Sequence, residues 1–198
     1  LKKTSDIKSL INGSNALVFS GGDFSDLIFS SAEQNKRGLF IDASNHISDT
    51  KWSTSGVLLS LGYDVASSSW LYARTMSPMA SLSIPLNLDS SGSHEIWIRF
   101  FKSKDAGRFS FTLDEEIEVI VNQDATQYVS GFAWIKVTEA DLSQGEHSLK
   151  ITNLTSKETS IDQIAIIKSS VIQSETEEIK GLLQNKKIAF LLRYDDFS

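Results

Sequence analysis

Strict alternation is what constrains this chain most. From residue 80 to 88 every second side chain is apolar, so Leu82, Ile84, Leu86 and Leu88 share one face of an extended segment. Residues 89–93 are turn formers. Residues 94–101 then place Ile96, Ile98 and Phe100 on one side and Trp97, Arg99 and Phe101 on the other. Phe109, Phe111 and Leu113 alternate again. Asp114, Glu115 and Glu116 turn the chain into Ile117, Val119 and Val121, which predicts a hairpin. Further strands are expected at 132–137, 147–151 and 161–167. Many short strands, spaced by roughly 8–12 residues, indicate a sandwich or barrel. Pro85 lacks a backbone N–H and places its strand at an edge.

The first third of the chain carries strand-sized apolar runs at 16–19, 27–29, 38–41 and 56–59, and residues 6–11 suit a short helical turn. Beyond Lys168 the vocabulary changes. Ser174 followed by Glu177 fits a capping box, predicting a helix over 174–185, and residues 186–192 read as a buried strand. Helix then buried strand is α/β usage, unlike the rest. The chain starts at Leu1 and ends on what reads as the opening of another unit, so it is expected to be part of a longer protein. Its organisation is read as a β-rich segment at 1–37, a sandwich at 38–168, and a linker helix with the first strand of a following domain at 169–198.

Composition excludes several functions. The absence of cysteine removes disulfide scaffolds, Cys-based zinc sites and Cys nucleophiles. A net charge of −6 argues against nucleic acid as a partner through a broad basic face. No apolar run reaches the length needed to span a membrane as a helix. The 32 serines suit β-surfaces and loops. Two Asn-x-Ser/Thr sequons occur, at Asn12 and Asn153. His46, His94 and His147 are isolated in sequence, and no Ser–His–Asp order stands out. Asp114, Glu115 and Glu116 are consecutive in a turn, whereas carboxylates for glycoside cleavage come from separated positions facing a cleft.

The order of elements carries a resemblance. A strand ends in Arg99, and 109–114 ends in an Asp turn. A strand then opens near Trp134, Leu142-Ser-Gln-Gly-Glu-His-Ser-Leu149 forms a turn and strand, and a last strand holds Ile161-Asp162. This resembles carbohydrate-binding modules of the galactose-binding-like jelly-roll type, families 6 and 35. The resemblance implies an all-β jelly-roll sandwich with a short helix–strand tail. It implies a non-catalytic accessory module that binds carbohydrate or polysaccharide beside adjoining domains of the same chain, outside the cell or at its surface. It further implies a structural calcium on Asp42 and Asp162, although Asp42 and Ser44 stand where the family has two Glu.

Sugar binding needs an aromatic platform and a few fixed polar groups. Tyr128, Phe132, Trp52, Trp70 and Tyr72 are the expected platform residues, with Asn122, Gln123 and Asp124 as polar partners and Trp97 and Trp134 as structural aromatics. The tail, residues 188–197, resembles the first strand and metal-binding Asp-Asp motif of polysaccharide deacetylase-like barrels, which would give Asp195 and Asp196 roles as base and metal ligand. The His pair that such a site needs is missing, so the chain by itself is expected not to be an enzyme. The alternatives are the leading part of such a hydrolase, or a sandwich that only packs against neighbouring domains.

Overall fold

The computed structural model describes residues 16–20, 38–67, 69–123, 130–183 and 187–191. The expectations for residues 6–11 and 27–29, and for Asn12, lie outside these. Strands β2 (Gly38–Asp42), β3 (Ser53–Ser55), β4 (Tyr72–Thr75), β6 (Gly92–Lys102), β9 (Gly131–Leu142) and β11 (Thr159–Lys168) form one antiparallel sheet. Its order is β3-β4-β11-β6-β9, and β2 also pairs with β11. Strands β5 (Ser81–Leu88), β7 (Arg108–Leu113), β8 (Ile117–Asn122) and β10 (Gly145–Asn153) form the second, in the order β5-β10-β7-β8. The fold is an antiparallel β-sandwich.

The alternation explains the layering. Leu82, Ile84, Leu86 and Leu88 from β5 meet Phe109, Phe111 and Leu113 from β7 and Leu149 and Ile151 from β10 in one core. Ile96, Ile98 and Phe100 of β6 and Ile161, Ile164 and Ile166 of β11 close it from the other sheet. Most of these side chains have no exposure at all, and each such burial contributes about 1.5–3 kcal/mol. Strand β11 is central to its sheet and buried along nearly its whole length; its second half, 164–167, is a continuous apolar run, while its first half buries Thr159, Ser160, Asp162 and Gln163. Pro85 stands opposite Ser148 on β5, the edge strand of its sheet, where a missing donor costs no ladder bond on the outer side.

Three local expectations are corrected. Residues 57–60 form a one-turn helix, α1 (Val57–Ser60), and not a strand. Gly56 begins it, and Ser60 caps back onto the Val57 carbonyl. The C-terminal helix, α2 (Ser169–Leu183), starts directly at the end of β11, five residues before the expected cap. Ser174 sits inside it and donates to the Val171 carbonyl three residues back. Its real anchor is Ser169, whose hydroxyl donates to Glu139 on β9. Strand β9 runs on to Leu142, so the turn into β10 is only Ser143 and Gln144. Strand β12 (Lys187–Leu191) follows α2 and pairs in parallel with β1 (Ala16–Ser20), from Ala16 opposite Lys187 to Ser20 opposite Leu191.

The side chain of Asn153 is fully buried. Its amide donates to the Ser77 and Lys157 carbonyls, and its oxygen accepts from the Thr155 amide. It therefore organises a turn and is closed to glycosylation in the folded chain.

The β7–β8 hairpin is fastened by charge. Asp114 and Glu115 both adopt positive φ, 51° and 61°, as a tight hairpin turn requires of its central pair. Asp114 accepts from the Ser148 amide at 2.8 Å and from His147 Nδ1 at 2.6 Å. His147 Nε2 lies 2.9 Å from the Ser143 carbonyl. Both ring nitrogens thus face acceptors, which only an imidazolium satisfies. The hydrogen bond to Asp114 raises the His147 pKa above its ordinary 6.5. Burial works to raise Asp114, but the bonds from His147 and Ser148 outweigh it and hold it below 3.8. The His147 contribution is complete below pH 6.5 and is lost as pH rises through the folded value. The Asp114 contribution is complete above pH 3.8 and is lost as pH falls through its own folded value. Replacing His147 by Ala is expected to cost about 1–2 kcal/mol near pH 5.5, with the deficit shrinking at higher pH. Urea unfolding of both proteins at pH 5.5, 7 and 8.5 reads this; a deficit independent of pH would refute it.

Candidate functional site

A bulge in β11 sets up the outer face of the larger sheet. Ile161 pairs with Phe100 and Gln163 with Arg99, so Asp162 is an extra residue with no opposite number. The insertion puts Asp162 and Gln163 consecutively on the outer side, where simple alternation would have sent one inward. Asp162 is fully buried there. Its Oδ2 accepts from Arg99 Nη1 at 2.5 Å and from the Ala66 amide at 2.7 Å. Arg99 also donates to the Asp64 carbonyl at 3.1 Å, and its guanidinium lies 5.1 Å over the Phe132 ring. Burial pushes the Asp162 carboxyl up, against the pull of Arg99 and of the Ala66 amide. One ion pair therefore pins residues 64–66 onto the sheet.

The pinned segment belongs to the connection between β3 and β4. Leu58, Val65 and Tyr72 form a small core of their own, with Leu59, Tyr63, Phe101 and Phe132 packed around it. The rings of Tyr63 and Phe101, Phe101 and Phe132, and Phe132 and Tyr72 meet edge to face at 4.9, 5.3 and 5.5 Å. On this bed a hydroxyl chain shapes the return to β4. Ser44 bonds Ser69 at 2.8 Å and Ser67 donates to the Leu71 carbonyl at 2.9 Å, while the single Ser69 proton has the Ser67 oxygen at 3.2 Å and the Leu71 carbonyl at 3.3 Å within reach. Trp70, held between them, takes φ of 58° and is 53% exposed. Leu71, Val57 and Leu61 are exposed beside it on the same connection, and Leu71 lies close against Gly56 at the start of α1. The result is an exposed aromatic ring next to Leu71, over a base of mutually bonded serines. That can take the C–H face of a sugar.

The other expected platform residues are placed differently. Trp52 is 3% exposed and part of the sandwich core. Tyr72 is fully buried, its hydroxyl accepting from Ser55. Phe132 is half-buried between Tyr72 and Phe101 beneath Arg99 and supports the bed. Tyr128 and Asp124 lie outside the described residues, as do Asp195 and Asp196. Gln123 is fully buried and donates to the Phe101 carbonyl, while Asn122 is exposed. Trp134 is buried and edge-on to Phe40, and Trp97 donates to Glu95. Sequence reasoning missed Val57, Leu61, Leu71 and the Ser44–Ser69–Ser67 chain. Only the density of serines around Trp70 hinted at them.

The oxygens expected to hold calcium are partly engaged, while Asp162 Oδ1 is buried without a hydrogen-bond partner. Asp162 Oδ2 is committed to a guanidinium and an amide, and Asp42 Oδ1 accepts from Gln163 Nε2 at 3.0 Å. Among the described residues no group of three or more His, Cys, Asp and Glu is arranged to hold a metal. Arg99 supplies the positive charge that Asp162 needs. Nor does a hydrolytic constellation form around His147 among the described residues. His147 has its carboxylate partner, but its second nitrogen meets the Ser143 carbonyl and no hydroxyl.

No family model matches the sequence, and no curated protein does. Solved structures do. A GH26-CBM35 β-(1,4)-mannanase of Podospora anserina is 15% identical with a TM-score of 0.52, over 67% of this chain and 28% of that one. The chain therefore spans little more than a quarter of that protein. The C-terminal CBM6 of the laminarinase LamC of Zobellia galactanivorans is 19% identical with a TM-score of 0.49, over 66% and 98%. A CBM35 of Paenibacillus barcinonensis is 15% identical with a TM-score of 0.48, over 67% and 100%. The likeness to the mannanase chain is one of fold.

Two outcomes follow from the ion pair. Arg99→Met strands a buried carboxylate and is expected to cost about 3–5 kcal/mol, whereas Arg99→Met with Asp162→Leu recovers most of the loss. Chemical denaturation of the two variants reads this, and equal losses would refute it. With Arg99 in place, chelation by EDTA is expected to leave the melting temperature unchanged. A drop of several degrees, reversed by added Ca²⁺, would show that a metal is needed after all.

Proposed function

We propose that this chain is a non-catalytic carbohydrate-binding module that engages polysaccharide through the Trp70 surface. The observation that carries the reading is Trp70 itself. A tryptophan half-exposed in a left-handed backbone conformation is costly twice over, in strain and in uncovered apolar area. Its serine chain and its aromatic bed are built to hold it there. Stacking on such a ring needs no charge and no chemistry.

The unit proposed for this task is the sandwich of strands β2 to β11, residues 38–168. It would act beside adjoining domains of the same chain, outside the cell or at its surface, by holding them on a polymer through raised local concentration. The fold shared with a mannan-degrading enzyme supports this reading, as does the fact that no helix among the described residues is long and apolar enough to cross a membrane.

The test is retention of the purified chain by insoluble or immobilised β-mannan, laminarin, xylan, cellulose and galactan. At least one should retain it. Trp70→Ala should weaken that binding by tenfold or more, about 1.4 kcal/mol, with an unchanged melting temperature. Retention by none of these polymers, from a folded wild-type chain, would overturn the proposal. Unaltered retention of Trp70→Ala would move the site elsewhere.

A further inference from the structure

A second opening lies at the other end of β2. Ser69 is tied to Ser44, just beyond the C-terminal end of β2, whereas a cleft of about 570 Å³ begins at Gly38, its N-terminal end. Edge strand β5 with its turn into β6, the end of β11 and the first turn of α2 complete the walls. Its volume lies within the range of small-ligand sites.

The chemistry of the walls is mixed and unspent. Leu39, Phe40 and Val171 give apolar surface. Asn87, Asp89 and Lys168 line it with an amide, a carboxylate and an ammonium, and none of these three side chains takes part in a hydrogen bond or ion pair among the described residues. His94 is the informative member. It is 4% exposed, so it is a buried polar group and not a surface one. Its Nδ1 lies 2.8 Å from the Gly92 carbonyl. A carbonyl can only accept, so Nδ1 carries the proton and Nε2 of the neutral ring is left as an acceptor. That nitrogen has no partner among the described residues, and its ring lines the cleft. As part of the cleft wall, that nitrogen is open to accept from a ligand hydroxyl.

We infer that this cleft is a second saccharide subsite, taking one neutral sugar residue at a time. The charges of Asp89 and Lys168 cancel, which selects a neutral ligand over an anion or a cation. Acceptors at His94 Nε2 and Asp89, with donors at Lys168 and Asn87, suit a ligand whose every hydroxyl both gives and takes a hydrogen bond. The apolar walls suit its C–H edges. The ligand class rests on the carbohydrate-binding reading above; the cleft and its unpaired groups do not. With the Trp70 surface at the opposite end of the same strand, one chain would hold a polymer at two points, and avidity would exceed either affinity.

The test uses the Trp70→Ala protein, in which the first surface is disabled, and follows backbone amides by NMR. The probes are the methyl glycosides of glucose, mannose, galactose and xylose, added to tens of millimolar. Saturable shifts are expected at the amides of residues 87–90 and 94. Asp89→Ala and Lys168→Ala, both on the cleft rim, should each weaken them about tenfold. The absence of saturable shifts there with every glycoside overturns the subsite, as do shifts that neither variant alters. Saturation of the cleft in a protein whose wild type no polymer retains would leave this subsite standing and remove the Trp70 reading. Retention by polymer without cleft shifts would do the reverse.

Discussion

The buried pair of Arg99 and Asp162 is the contact on which the outer face depends. Taking both charges out of water costs several kcal/mol each, and their attraction recovers this only with good geometry and with further hydrogen bonds. The contact is 2.5 Å, the Ala66 amide bonds the same carboxylate oxygen and the Asp64 carbonyl the same guanidinium nitrogen, while the other carboxylate oxygen, Oδ1, is buried without a partner. The pair adds little to global stability compared with apolar packing at the same place. What it supplies is position. It fixes a sixteen-residue connection, 56–71, that has only one turn of helix of its own.

The sandwich core has the opposite character. It is apolar, continuous and insensitive to the outer face, because inward residues of β6 and β11 belong to it while outward ones do not. Alternation separates the two tasks along a single strand. On β6, Ile98 packs the core and Arg99 next to it holds the loop. The bulge at Asp162 is the one place where β11 departs from alternation, and it departs to serve the loop. Loop geometry can therefore change without loss of the core.

Alternation made strands β5 to β11 legible in the sequence, because the period of two survives wherever one face is buried and the other is not. The same rule could not show the bulge, since one inserted residue leaves composition and local apolarity unaltered. It also misread 56–59. A four-residue apolar run has no period long enough to tell strand from helix, and the packing of Leu58 against Tyr72 decides for a helical turn. The aromatic candidates were found as a set, but their roles were hidden. Trp52, Tyr72 and Phe132 are as aromatic as Trp70, and only tertiary burial sorts the core and bed residues from the exposed ring. The capping box at Ser174 failed for a related reason. Ser169, tied to Glu139 from across the sheet, starts the helix a turn and a half earlier than local signals indicate.

Four non-glycine residues described here adopt positive φ, and comparing them isolates Trp70. Asp114 and Glu115 close a tight hairpin, where the twist of the flanking strands demands that conformation. Met79 stands within the turn that the Ala80 amide closes on the Ser77 carbonyl, and its own amide is bonded to the Asn153 carbonyl. In each case the strain completes a connection. Trp70 ends its turn, with its amide 3.4 Å from the Ser67 carbonyl, and passes through Leu71 directly into β4. What the conformation does achieve is separation. The Leu71 carbonyl turns inward to two serine hydroxyls, and the indole turns outward. A strain of about 1–3 kcal/mol at a non-glycine residue persists only where the surroundings over-determine it. Here the Ser44–Ser69–Ser67 chain does so. The conformation leaves the ring facing outward, and on that rests the proposal that this surface takes a ligand.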